Sequence, residues 1–258
     1  MNEFLIGLQF LTRINFVKQT IWTEKDFGGS VKFFPAIGAL LGIIYAVTIG
    51  ILFFVTGGNI PIFIGSFGFF LSVILTGGIH CDGLMDTADG LFSGREREKI
   101  LAIMKDSRAG SFGVVSLLLI AALQISALAE LAKISGDWLC TAIFSAPIIG
   151  RFAMVFTIKK FPYARQQGIG KAFSIYTTQK TLNFAVGETI LFLLPIFFLS
   201  EKIFLTGLIA IIAAIIFSWR FGEFSTEKIG GVTGDIYGAV EIISETLVLI
   251  IFLFGAIF

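Results

Sequence analysis

Phe33 to Ile79 runs for 47 residues without a charged side chain, and its end overlaps Gly77-Gly78-Ile79-His80-Cys81-Asp82-Gly83-Leu84-Met85-Asp86-Thr87-Ala88-Asp89-Gly90, which sets three carboxylates within eight residues. A membrane crossing needs about 20 apolar residues, so the uncharged run is long enough for two helical crossings and a turn. Three acids at its edge repel one another, and desolvation at a membrane boundary sharpens the repulsion. A positive charge belongs beside them. A hard divalent cation such as Mg2+ suits a set of oxygen ligands.

Composition agrees. The chain has 258 residues, 56% hydrophobic and only 14% charged, with 30 Phe, and a mean hydropathy of +0.92. Soluble domains carry roughly 25% charged residues. No polar linker divides the chain, so one integral-membrane domain over 1–258 is expected. A net charge of +1 gives no electrostatic case for a nucleic-acid partner. Two cysteines, Cys81 and Cys140, are too few for a disulfide framework, and the topology below sets them at opposite membrane faces. Met1-Asn2-Glu3-Phe4 lacks the basic start of a cleaved signal peptide.

Seven windows qualify as helical spans: 33–56, 60–79, 111–130, 138–158, 182–200, 203–219 and 236–258, of which 203–219 is the shortest. Their apolar runs are continuous, which excludes the alternating pattern of a membrane β-barrel. Sixteen of the 19 Lys and Arg, Lys18 among them, fall in the N-terminal segment and in the loops after spans two, four and six. Lys133 and Lys202 lie on the other side, and Arg151 lies inside span four. That asymmetry predicts a cytoplasmic N-terminus and an outer C-terminus. The fold expected is an all-α polytopic transmembrane bundle of about seven spans. The first 16 residues, with Phe4, Leu8 and Leu11 at helical spacing, add a short interfacial helix at the inner surface.

Three polar clusters fall on the cytoplasmic side. In the first, Asp82, Asp86 and Asp89 are four and three apart, which sets them on one helix face. The second is Met104-Lys105-Asp106-Ser107-Arg108-Ala109-Gly110-Ser111-Phe112-Gly113. Here Asp106 can join the metal site, while Lys105 and Arg108 can meet phosphate oxygens. The third is Gly230-Gly231-Val232-Thr233-Gly234-Asp235-Ile236-Tyr237-Gly238-Ala239-Val240-Glu241, followed by Glu245. Its glycine-rich entry, including Thr233 and Gly234, reads as a phosphate cradle built from backbone N–H groups. Glu241 and Glu245 share a face inside the membrane, where acids are functional by default. The competing reading is that they snorkel or pair internally with Arg151. Arg151 and Arg165 are second-tier candidates for phosphate binding. His80, the single histidine, reads as a satisfied interfacial group, with a base role as the alternative. No zinc motif, Walker loop or Ser-His-Asp arrangement is present. Mg2+ ligands, phosphate-binding cations and glycine turns at one membrane face suit phosphoryl transfer from a substrate already activated as a diphosphate.

Leu8-Gln9-Phe10-Leu11-Thr12-Arg13-Ile14, Phe34-Pro35-Ala36-Ile37-Gly38, Gly77 to Leu91, Ile103 to Gly113 and Gly230 to Glu245 resemble, in the same order, the cobalamin synthase (adenosylcobinamide-GDP ribazoletransferase) family. Cys81 stands where that family often has an apolar residue. The resemblance implies a Mg2+-dependent membrane enzyme of the late nucleotide-loop pathway, in the inner cell membrane with its site facing the cytoplasm. It would join adenosylcobinamide-GDP to α-ribazole or its 5′-phosphate and release GMP, among neighbouring pathway enzymes or as a homo-oligomer. On this reading Asp82, Asp86, Asp89 and Asp106 hold the metal, and Asp89 or Asp235 takes the ribose hydroxyl proton. Glu241 and Glu245 orient the nucleophile or complete a second metal site. The rivals are a CDP-alcohol-type lipid phosphotransferase and a cation or cobamide transporter. The first expects an Ala-Arg after its Asp-Gly, where this chain has Leu84-Met85. The second expects an inverted repeat, and no convincing one is visible.

Overall fold

The computed structural model describes residues 3–14 and 23–258. Lys18 and the end of the expected 16-residue helix lie outside the described residues. Among the described residues twelve α-helices follow one another: α1 (Glu3–Leu11), α2 (Glu24–Gly29), α3 (Phe34–Thr56, entered through a 3-10 turn at Ser30–Phe33), α4 (Pro61–Thr76), α5 (Ile79–Leu91), α6 (Arg97–Ile103), α7 (Ser111–Ile134), α8 (Gly136–Lys160), α9 (Ile169–Tyr176), α10 (Gln179–Phe197), α11 (Glu201–Ile229) and α12 (Gly234–Ile257). The described residues contain no β-strand, only an isolated bridge between Tyr163 and Val232.

Each apolar window read from the sequence falls mainly on a helix, although 60–79 runs past the end of α4 to the first residue of α5 and 182–200 runs past the end of α10. Five of them, with α3 counted from Glu24, are long and apolar enough to cross a membrane: α3, α7, α8, α11 and α12. The bent pair α4 and α5 makes a sixth if it counts as one broken span. The short window 203–219 belongs to the 29-residue α11, which at 1.5 Å per residue exceeds a bilayer core of about 30 Å. Helix starts follow the local chemistry. Pro35 and Pro61 open α3 and α4, where a missing N–H costs nothing. Ser200 and Thr233 accept the N–H groups of Ile203 and Ile236 at the heads of α11 and α12.

The chain turns by 92° between α4 and α5. Gly77 and Gly78 stand at φ 68° and 72°, left-handed conformations that residues with a Cβ rarely adopt. A Cβ on Gly77 would also collide with the Arg13 guanidinium, and Arg13 N donates to Leu75 O at 2.7 Å. The acidic helix α5 therefore leaves the line of α4 and packs against α7 and α12.

Helix α8 occupies the centre, with Leu139, Ala142, Ile148, Ile149, Ala153 and Val155 almost wholly buried. Phe54, Ile62, Leu118, Leu191 and Ile216 are exposed on the outside. That inversion fits a lipid-facing surface. The N-terminal helix keeps its expected stripe, but Leu8 and Leu11 join Val31, Phe34 and Ile37 in one buried cluster, so the stripe packs on the protein itself.

Candidate functional site

Helices α5 and α12 pack closely at Gly83. A Cβ there would lie 2.7 Å from Asp235 O and 3.2 Å from Gly238 Cα, both backbone atoms. Only hydrogen fits, so the start of α12 rests against α5 and Asp82 and Asp235 line one cavity of about 280 Å³. Arg165 completes its polar end. The loop that carries Arg165 is fixed by Ala164 N to Val232 O and Val232 N to Pro162 O, both 2.8 Å. Arg97 Nε and Nη2 brace it by donating to Ile229 O at 2.8 Å and Ala164 O at 3.2 Å. Arg165 Nη2 thereby sits 2.8 Å from Asp235 Oδ2, in an ion contact whose N–H vectors are not aligned for a hydrogen bond. Thr233 donates to the same oxygen at 3.2 Å. The Tyr163 phenol lines the same cavity, and burial pushes its pKa up.

Asp86 is half-buried one turn along α5. It lies within electrostatic reach of the carboxylates of Asp82, Asp235 and Asp89, with Arg165 as the opposing charge. Acids crowded in this way favour a bound cation.

The remaining sequence candidates lie elsewhere. Asp89 faces the head of α7, where its two oxygens accept from Gly110 N at 2.7 Å and Gly113 N at 2.8 Å. It is the cap that α7 lacks on its own N-cap glycine. Asp106 is gripped by Arg108, whose Nε lies 2.9 Å from Oδ1. Hydrogen bonds from the Arg108 side chain, and then from its backbone, hold the Asp106 carboxyl down at about 2. Asp89, Asp106 and Arg108 share a surface recess lined also by Arg95 and Ser111. Lys105 lines another recess beside Arg97 and Arg165. The sequence reading grouped three aspartates by spacing and added Asp106 from the second cluster, whereas the structure leaves Asp82 and Asp86 near Asp235 and gives Asp89 and Asp106 partners of their own. Among the described residues, no three His, Cys, Asp or Glu side chains form a preassembled metal cage.

Arg151 is fully buried inside the bundle. Its Nη1 lies 2.7 Å from Glu241 Oε1 and 3.1 Å from Glu245 Oε1, and it donates to Pro147 O at 3.1 Å. His80 Nε2 stands 3.4 Å from Arg151 Nη2 and 3.7 Å from Glu241 Oε1. Internal pairing of the two acids with Arg151, the competing sequence reading, is the arrangement present. Arg151 is thus engaged by carboxylates away from the Asp82–Asp235 cavity, and the cluster ties α5, α8 and α12 together.

A family model described as cobalamin-5-phosphate synthase matches residues 3–253. The chain belongs to that family. Membership agrees with the order of the motifs along the chain and with an all-helical membrane architecture. An adenosylcobinamide-GDP ribazoletransferase of Desulforamulus reducens is 36% identical over 258 residues, covering 98% of this chain and 97% of that protein. A protein of the same name from Desulfitobacterium hafniense is 35% identical, with 99% and 96% covered. Another from Fusobacterium nucleatum is 34% identical, with 98% and 97% covered. No solved structure matches.

In this member of the cobalamin-5-phosphate synthase family, two site residues escaped the sequence reading. Arg13 lines a second space of about 580 Å³ together with Asp82 and Met85, so arginines border Asp82 on two sides. It lies within the Leu8–Ile14 run, but a basic residue beside an apolar helix reads first as a membrane flank. Tyr237 lines the Asp82–Asp235 cavity, and its position among glycines gave no signal.

Proposed function

We propose that this protein is an adenosylcobinamide-GDP ribazoletransferase that uses Mg2+ to join adenosylcobinamide-GDP to α-ribazole or its 5′-phosphate, with GMP as the leaving group. Family membership over residues 3–253 carries the reaction. The cavity lined by Asp82, Asp235 and Arg165 supports siting it there. Asp82 and Asp86 would hold the ion. Two carboxylates suffice, because Mg2+ is usually bound by one or two of them together with waters and substrate phosphates. The crowded acids around Asp86 supply the oxygen donors it prefers. Bound Mg2+ would neutralise charge on the diphosphate.

The chain's own groups account for the rest. Arg165 and Arg13, on either side of Asp82, hold non-bridging oxygens and orient the phosphorus. Asp235 accepts the ribose hydroxyl proton, with Arg165 stabilising its ionised form until the proton arrives. Asp89 and Asp106 shape the surrounding loops through the head of α7 and through Arg108. Arg151, Glu241 and Glu245 fix the helices on which the site stands. The lysines and arginines of the segments around this cavity favour a cytoplasmic site in the inner membrane. Helices α4 and α10 then join the five long helices to give seven crossings, with α1 at the inner surface.

The test is GMP release by the purified protein in detergent, with and without Mg2+. Wild type should release GMP only with both substrates and metal. Asp82→Asn and Asp235→Asn should each lose at least about a hundredfold, the scale of a mispositioned or missing reacting group. Near-normal turnover in both variants would remove this cavity as the site. CMP release from a CDP-alcohol, in place of GMP release from adenosylcobinamide-GDP, would favour the lipid phosphotransferase reading.

A further inference from the structure

Asp82 borders two separate spaces. Successive residues of α5 are turned by about 100°, so Asp82 stands at the divide between two faces of that helix. Gly83 lies on one side, in the cavity of about 280 Å³ that also holds Asp235 and Arg165. Cys81 and Met85 lie on the other, in the recess of about 580 Å³ with Gln9, Thr12 and Arg13. Asp82, Ile79 and Phe10 line both spaces and form the partition between them.

The recess offers accessible donors. Gln9, Thr12 and Arg13 follow one another at helical spacing and share one face. Arg13 is exposed and Gln9 half-buried. Neither the Arg13 guanidinium nor the Gln9 amide has a hydrogen-bond or ion-pair partner among the described residues. The guanidinium is nevertheless held in place. Arg13 N donates to Leu75 O at 2.7 Å, and the side chain lies against Gly77, whose missing Cβ leaves it room. Asp82 on the partition is the one acid among the described residues that line the recess. A positioned, accessible cation without a carboxylate of its own suits a phosphate, which a guanidinium grips with two N–H groups.

We infer that the recess is the subsite of the leaving nucleotide, with Arg13 on the non-bridging oxygens of the GMP phosphate, while the nucleophile works from the cavity across the partition. The inference rests on the transferase reading above. Phosphoryl transfer sets the attacking and leaving oxygens roughly in line through the phosphorus. The attacking hydroxyl is beside Asp235, which lines the cavity and not the recess. The leaving oxygen therefore departs toward the recess. The new bond joins the ribose oxygen to phosphorus. The bond from that phosphorus to the bridging oxygen breaks, its electron pair stays on GMP, and the hydroxyl proton passes to Asp235. Arg13 meets the negative charge that appears on GMP as that bond breaks.

The test is equilibrium binding to the purified chain in detergent with Mg2+ present. The probes are GMP, guanosine and α-ribazole. In wild type, saturating α-ribazole should leave GMP binding unchanged, because the two occupy different spaces. Arg13→Gln should weaken GMP at least about tenfold, the loss expected of a charge-assisted contact, and leave guanosine and α-ribazole unchanged. Gln9→Trp, which fills the recess from α1, should weaken GMP and guanosine together and spare α-ribazole. Competition between GMP and α-ribazole in wild type overturns the inference, even if neither variant folds. It is overturned as well if Arg13→Gln leaves GMP binding unchanged or weakens guanosine or α-ribazole as much as GMP, or if Gln9→Trp weakens α-ribazole alone. Wild-type GMP release separates the two proposals. If release fails with both substrates and metal, the transferase reading falls; if release occurs while GMP and α-ribazole compete, only the place of the leaving nucleotide falls.

Discussion

Asp89→Ala distinguishes a structural aspartate from a metal ligand. Both Asp89 oxygens accept backbone N–H groups at the head of α7, Gly110 N at 2.7 Å and Gly113 N at 2.8 Å. Hydrogen bonds to an ionised group contribute about 1.5 to 3 kcal/mol each, and the low end applies because Asp89 is only partly buried. The negative charge at a helix start adds about 0.5 to 1 kcal/mol. The alanine variant should therefore lose about 4 kcal/mol, which lowers the thermal midpoint by about 10 °C for a chain of this length. Asp89→Asn keeps one acceptor but loses the charge and should lose about half as much. Gly113→Ala should behave like the alanine variant, because its Cβ would lie 2.5 Å from Asp89 Oδ2 and 2.9 Å from Met85 O. The assay is a fluorescence melt in detergent, paired with a Mg2+ titration of GMP release at a temperature where each variant is folded. An unchanged midpoint together with a half-saturating Mg2+ concentration raised more than about tenfold would refute the capping argument and restore Asp89 as a ligand.

Arg151→Ala leaves Glu241 and Glu245 buried without their cation and should cost about 3 to 5 kcal/mol, seen as a lower melting point and yield. Adding Glu241→Gln and Glu245→Gln should recover much of that loss, and normal stability with abolished activity in the single variant would return Arg151 to a phosphate-binding role. Gly83→Ala forces α5 from the Asp235 carbonyl. It should cut turnover more than about tenfold at a modest loss of about 1 to 3 kcal/mol in stability, as read by GMP release beside a melt. Unchanged turnover would show that the α5–α12 spacing does not govern the reaction.

The membrane class, the helical windows and the acidic and glycine-rich motifs were legible in the sequence because each depends on neighbours along the chain. A bilayer demands continuous apolar runs, and an uncharged stretch such as Phe33 to Ile79 records that demand directly. The partners of each acid were not legible. Helical spacing puts Asp82, Asp86 and Asp89 on one face, but it is blind to the α7 amides that take up Asp89. It also does not say that Arg108 is closer to Asp106 than any metal-binding acid is. The same face rule put Glu241 and Glu245 together without deciding between a substrate and Arg151. Apart from the local Asp106–Arg108 pair, those outcomes follow from which helices touch. Two left-handed glycines turn α5 aside, Gly83 lets α12 approach, and one bridge between Tyr163 and Val232 carries Arg165 to Asp235. Charge interactions of that kind depend on distance through space, which the tertiary packing sets and the order of residues does not.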